Sequence, residues 1–163
     1  MAKFTLSGVR RAVATGKIMS TDDHQIVDWM LFEKSRAELG AGFIRILSYF
    51  REDGAKSVAQ IEEAMHDQNT AALVIPAHTI KGEARQFGAE PLAEIAELIE
   101  STARLCLETR RFPDELVPEV VELRKLFNRT VELFDKATNP LLTRSPQSGG
   151  FGRKVGNQDF GRI

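Results

Sequence analysis

Residues 77–88 read Ala77-His78-Thr79-Ile80-Lys81-Gly82-Glu83-Ala84-Arg85-Gln86-Phe87-Gly88 and hold the side chains best placed for chemistry. In a helix each residue turns by about 100°. Leu73, Ala77, Ile80, Ala84 and Phe87 then form one apolar stripe, spaced alternately by four and three as a core-facing stripe is. His78, Lys81, Gly82 and Arg85 share a second face, about 130° from the middle of that stripe on the same wheel. The pattern predicts a solvent-facing imidazole, a group that is partly neutral near physiological pH and can act as a nucleophile. Lys81, one turn on, could balance the charge of an incoming phosphoryl group. Arg85, two turns along the same side, would extend that positive field. Gly82 at i+4 leaves room for a bulky group to approach the ring. A mid-helix glycine costs about 1 kcal/mol relative to alanine, so a packing or access reason is expected. A lone surface histidine is ordinarily unremarkable; Lys81 and Gly82 at these spacings change the balance.

Ala-His-x-x-Lys-Gly, followed after five residues by a second glycine, resembles the signature of the histidine phosphotransfer (HPt) domain family. Here it stands as Ala77-His78-Thr79-Ile80-Lys81-Gly82, then Gly88, then Leu92, Leu98 and Glu100, within a likeness spanning residues 24–137. The resemblance implies an all-α, antiparallel up-down four-helix bundle with a short extra N-terminal helix. It implies His78 as phospho-acceptor, Lys81 as the residue that assists transfer, and Gly82 as the small residue that keeps the ring accessible. Arg85 comes from the helical wheel and is not demanded by the family pattern; with Thr79 it is expected on the partner-binding surface. The implied role is a phosphorelay intermediate of two-component signal transduction. Such a phosphocarrier takes a phosphoryl group from a receiver-domain aspartate, or from a histidine kinase system, and passes it to another response-regulator receiver. No cofactor is expected on this chain; Mg²⁺ would come with the receiver, since no cluster of carboxylates is evident around His78. Without a glycine-rich loop or other nucleotide signature, the chain is not expected to be an enzyme or kinase by itself.

Composition sets the frame. The 163 residues, 42% hydrophobic and 28% charged, suit one globular domain with terminal extensions. The net charge of −1 conceals an asymmetry. The first 21 residues carry Lys3, Arg10, Arg11 and Lys17 and no acid; residues 138–163 carry Arg144, Arg153, Lys154 and Arg162 against Asp159. Removing those eight basic residues and one acid from totals of 22 and 23 leaves 14 basic and 22 acidic residues between, a net of −8. An acidic body argues against nucleic acid as its partner. The single Cys106 excludes an internal disulfide and a cysteine-based metal site. No apolar run approaches the roughly 20 residues that span a bilayer. No signal-peptide core opens the chain. A cytoplasmic monomer is the expectation.

Three parts follow: a basic N-terminal arm over 1–21, a helical bundle over 22–137, and a flexible basic C-terminal tail over 138–163. In the arm, Phe4, Leu6, Val9 and Val13 allow a weak amphipathic helix, with a disordered arm the equal alternative. Thr21-Asp22-Asp23 offers N-caps for a short helix carrying Ile26, Trp29, Met30 and Phe32, which Gly40 and Gly42 interrupt. Phe43, Ile44, Leu47, Phe50, Val58, Ile61 and Met65 predict one long helix from about Ala41 to Gln68, weakened or bent at Gly54, with two helices as the lesser alternative. Asp67 to Asn69 supplies a turn and cap. Pro76 either kinks the histidine helix or sits in the first turn of one starting near Ile75. Glu90-Pro91 opens the next helix, with Leu92, Ile95, Ala96, Ile99, Ala103 and Cys106 inward. After Phe112-Pro113-Asp114, Val120, Leu123, Leu126, Phe127, Thr130, Val131 and Phe134 define the last helix, to about Lys136.

Two other readings compete. One is a plain helical protein-interaction module with an incidental histidine. The other is a di-iron bundle, which needs paired Glu-x-x-His motifs. Glu63-x-x-His66 is a single match, because Thr21 and Ile75 precede His24 and His78 by three. His66 and His24 are read as helix-end residues. The repeat Phe151-Gly152-Arg153 and Phe160-Gly161-Arg162 is read as part of a solvated tail, with a short docking motif as the sharper alternative.

Overall fold

A computed structural model describes residues 25–139. The N-terminal arm, the expected caps Thr21, Asp22 and Asp23, His24, and the Phe-Gly-Arg repeat lie outside these residues. Among the described residues five α-helices run complete: α1 Trp29–Leu39, α2 Phe43–His66, α3 Thr70–Gln86, α4 Glu90–Glu108 and α5 Val117–Thr138. No strand occurs among the described residues. Helices α2 to α5 form the four-helix bundle, with α2 and α4 each packed between α3 and α5. Short connections make successive helices antiparallel. Thr138 still belongs to α5, so the helical body runs one residue past the boundary expected at 137.

α1 closes one end of the bundle. Its N-cap is Asp28, whose carboxylate accepts from Met30 N at 3.0 Å and Leu31 N at 3.1 Å. It ends at Gly40 with φ +50°, and a 3₁₀ turn over Gly40–Gly42 leads into α2. Phe32 is fully buried, 4.8 Å from the Phe134 ring centroid and 5.3 Å from that of Phe43. Phe50, Phe87 and Phe127 extend this aromatic core. Each such ring stabilises by about 1.5–3 kcal/mol through apolar burial.

α2 runs unbroken through Gly54, where a bend was expected. The glycine has a packing reason instead: a Cβ there would lie 2.5 Å from Phe127 Cε2 on α5. The absent side chain lets α2 and α5 approach. Arg124 ties α5 to Glu62 of α2 through contacts of 2.8 and 2.5 Å, and Arg51 pairs with Asp135 lower on the same seam.

α3 begins at Asn69, whose side chain accepts from Ala72 N at 3.2 Å. Pro76 is buried inside the helix, six residues past its start, so a helix beginning near Ile75 is excluded. The apolar stripe Leu73, Ala77, Ile80, Ala84 and Phe87 is buried throughout. Gly88, with φ +77°, ends the turn, and a Cβ on it would stand 2.5 Å from Asp28 O. The Asp28 N–H donates to Gly88 O at 2.8 Å, so this glycine also seats α1. α4 carries Pro91 in its first turn, and α5, preceded by a 3₁₀ turn over Asp114–Leu116, carries Pro118 likewise. Cys106 is a buried core residue.

Candidate functional site

α3 and α4 make the most extensive helix pair, and the side chains with chemical potential line their seam. His78 projects from the middle of α3 with 64% of its side chain exposed. Its Nδ1 lies 3.0 Å from Oε1 of Glu100 on α4. Glu100 itself is buried, and two cations converge on it. Lys81 Nζ is 2.6 Å from Oε2, and Arg104, one turn along α4, reaches Oε1 through Nε at 3.1 Å and a terminal nitrogen at 2.8 Å. The Lys81 approach is oblique, an ion pair rather than a well-directed hydrogen bond.

Burial by itself raises the Glu100 pKa; the Lys81 ammonium, the Arg104 guanidinium and the His78 ring N–H outweigh it and hold the carboxyl at about 2. Glu100 is therefore ionised at neutral pH and can only accept hydrogen bonds. The hydrogen in the His78 contact must sit on Nδ1. In the neutral ring that leaves the Nε2 lone pair free, and Nε2 has no hydrogen-bond partner among the described residues.

The remaining expected residues divide. Gly82 is exposed, and a Cβ added to it would meet nothing within 4 Å, so the chain's own packing does not require a glycine there. Thr79 is half-buried and its hydroxyl donates to Ile75 O at 3.1 Å, inside its own helix. Arg85 does not extend a positive field. Its guanidinium pairs with Glu97 at 2.7 Å and Glu90 at 3.3 Å, so two carboxylates offset its charge. Lys81 is likewise only 19% exposed and engaged with Glu100. The two residues that organise the ring, Glu100 and Arg104, were given no role from the sequence. A signal existed: they stand at i,i+4 on one helix, and Glu100 borders the buried stripe of Ala96, Ile99 and Ala103. No group of three or more metal-ligating side chains occurs among the described residues.

An exposed imidazole in a helical hairpin, oriented through Nδ1, agrees with a family comparison. The sequence profile described as the Hpt domain matches residues 45–132, over half of the chain. The chain belongs to the Hpt domain family. Among solved structures, the crystal structure of histidine-containing phosphotransfer protein B (HptB) from Pseudomonas aeruginosa PAO1 is similar, with a TM-score of 0.60 and 20% identity. The likeness covers 69% of this chain and 93% of that one. No curated protein matches. As an Hpt domain the chain is a phosphorelay phosphotransfer intermediate, a phosphocarrier of a family that works with receiver domains and histidine kinases. No described helix is long and apolar enough to cross a membrane.

Proposed function

We propose that Nε2 of His78 is the phosphoryl acceptor of this Hpt domain. The observation that carries the reading is an exposed ring whose Nδ1–H is held by a buried, ionised Glu100. The donor would be the phosphoaspartate of a docked receiver domain. The Nε2 lone pair forms the new N–P bond while the aspartyl O–P bond breaks, its electrons leaving with the carboxylate. Nδ1 keeps its proton, and the cationic ring that results faces Glu100, whose charge stabilises it. The reverse step delivers the group to a second receiver.

Lys81 assists by charge. A phosphoryl group brings a charge of about −1.5 to −2 at neutral pH, and the oblique Lys81 ammonium can be shared between that group and Glu100. Arg104 is half-exposed on the other side of the carboxylate and supplies a second cation. Gly82 opens the approach. Thr79 and Arg85 belong to the rim that a receiver would cover, together with Ile75, which is 77% exposed one turn before the histidine. Mg²⁺ belongs to the receiver in this scheme. The chain acts as a cytoplasmic monomer, without kinase activity or nucleic-acid binding, in keeping with its acidic body.

Incubation with a phosphorylated receiver tests this. The chain should acquire acid-labile, base-stable label, and His78→Gln should acquire none. Label on the variant would remove the assignment and favour a plain interaction module. Lys81→Ala should slow transfer by about tenfold or more, the equivalent of 1.4 kcal/mol or more in the barrier, while circular dichroism stays unchanged. An unchanged rate would remove Lys81 from the mechanism.

A further inference from the structure

On its other flank α3 meets α2, and this seam holds a groove of about 450 Å³. Its apolar lining is Ala64, Ala72, Ile75 and Pro76; its charged lining is Glu63 and Asp67. No lysine, arginine or histidine lines it, and neither carboxylate has an ion-pair partner among the described residues. Several other interhelical acids are matched, Glu62 by Arg124, Glu90 and Glu97 by Arg85, and Glu100 by Lys81 and Arg104, while Glu83 on α3 faces Asp53 of α2, acid against acid. The groove thus offers an apolar surface beside two carboxylates that have no ion-pair partner among the described residues.

We propose that this groove seats the chain's own C-terminal segment 151–162 through Phe151-Gly152-Arg153 or its repeat Phe160-Gly161-Arg162. The phenyl ring lies on the apolar lining and the guanidinium meets Glu63 and Asp67. Charge complementarity supports this occupant. Residues 138–163 carry four basic residues and one acid, against a net of −8 for the body between the two ends. Reach supports it as well. α5 ends beside the first half of α2, where Arg51 pairs with Asp135. The groove lies about 20 Å further along α2 at 1.5 Å per residue, and around one helix. The 12 residues from Asn139 to Phe151 span at most about 40 Å. At the effective concentration of order 1 mM that short linkers give, a contact with a Kd below about 1 mM would be populated in more than half of the molecules.

Ile75 belongs both to the groove and to the ridge beside His78. A seated segment therefore shields part of the surface on which a receiver would land. This consequence rests on His78 being the acceptor; the docking itself does not.

The test compares amide ¹H–¹⁵N spectra of the full chain with the double variant Phe151→Ala/Phe160→Ala. Expected are shifts at the groove amides between residues 60 and 76. They should vanish when the same comparison is made in a Glu63→Lys/Asp67→Lys background. With limiting phosphorylated receiver, the phenylalanine double variant should accept label about twofold faster if half the molecules are shielded. Unmoved groove amides would overturn the proposal. So would shifts that depend on protein concentration, which would place a second copy's segment in the groove, or shifts seen only when receiver is added. An unchanged transfer rate alongside moved groove amides would overturn the shielding while leaving the docking. Because the spectra need no phosphoryl transfer, failure of the His78 assignment would be visible separately.

Discussion

Because Glu100 stays ionised down to about pH 2, its oxygens accept and His78 Nδ1 donates, so the free lone pair of the neutral ring lies on Nε2. Lys81 and Arg104 hold that charge in place. Gly82 shows the opposite kind of requirement. A Cβ there touches nothing within the chain, so the helix accepts the entropic cost of glycine with no internal return. Gly82→Ala should raise the unfolding free energy by about 0.5–1 kcal/mol, read by urea denaturation. Gly82→Gln should fold equally well yet block transfer by crowding the ring; normal rates in that variant would refute the access argument. His78, Lys81 and Gly82 were legible in the sequence because one helix fixes their relation by its period alone. Glu100 and Arg104 were not, because the register of α4 against α3 is set by tertiary packing that no local spacing encodes. The positive field expected of Arg85 fails for the same reason, since Glu97 reaches it only through the helical hairpin.

At the scale of elements, glycines and prolines carry the less legible information. The apolar stripes predicted all four bundle helices, and Leu73 to Phe87 were buried as their spacing required. Gly54 read as a weak point in α2, because sequence shows a missing side chain but not what fills its place. The Phe127 ring fills it. Gly54→Ala must push that ring within a packed aromatic cluster and should destabilise the fold by about 1–3 kcal/mol. Thermal or urea unfolding checks this, and an unchanged midpoint would mean that α2 and α5 can separate freely. Gly82 differs: of two mid-helix glycines, one is required by the chain's packing and the other is not, which is why access from outside is proposed for it. Pro76 was similarly ambiguous, since a proline in the first turn and one further inside leave the same local signal; the Asn69 cap decides it.

For the molecule as a whole, the two helical seams that flank α3 respond oppositely to pH. Glu83 on α3 is pushed up to about 7, first by burial and then by the charge of Asp53 on α2. The folded chain therefore binds more protons than the unfolded one between about pH 4.5 and 7, and stability falls as pH rises through that window. Glu100, held at about 2, contributes stability above pH 4.5 that is lost as pH falls toward 2. Glu83→Gln should therefore raise Tm at pH 8, with a gap that narrows toward pH 5. A constant gap across pH would contradict the burial of that carboxyl. The proposed relay chemistry depends on which ring nitrogen is free, and Glu100 fixes that wherever it is ionised. The most direct test is a ¹⁵N and ³¹P spectrum of the full chain phosphorylated by a receiver. A phosphorus–nitrogen coupling assigned to Nε2 of His78, with Nδ1 still protonated, is the predicted result. Phosphorus on Nδ1, or on any other residue, would contradict the account.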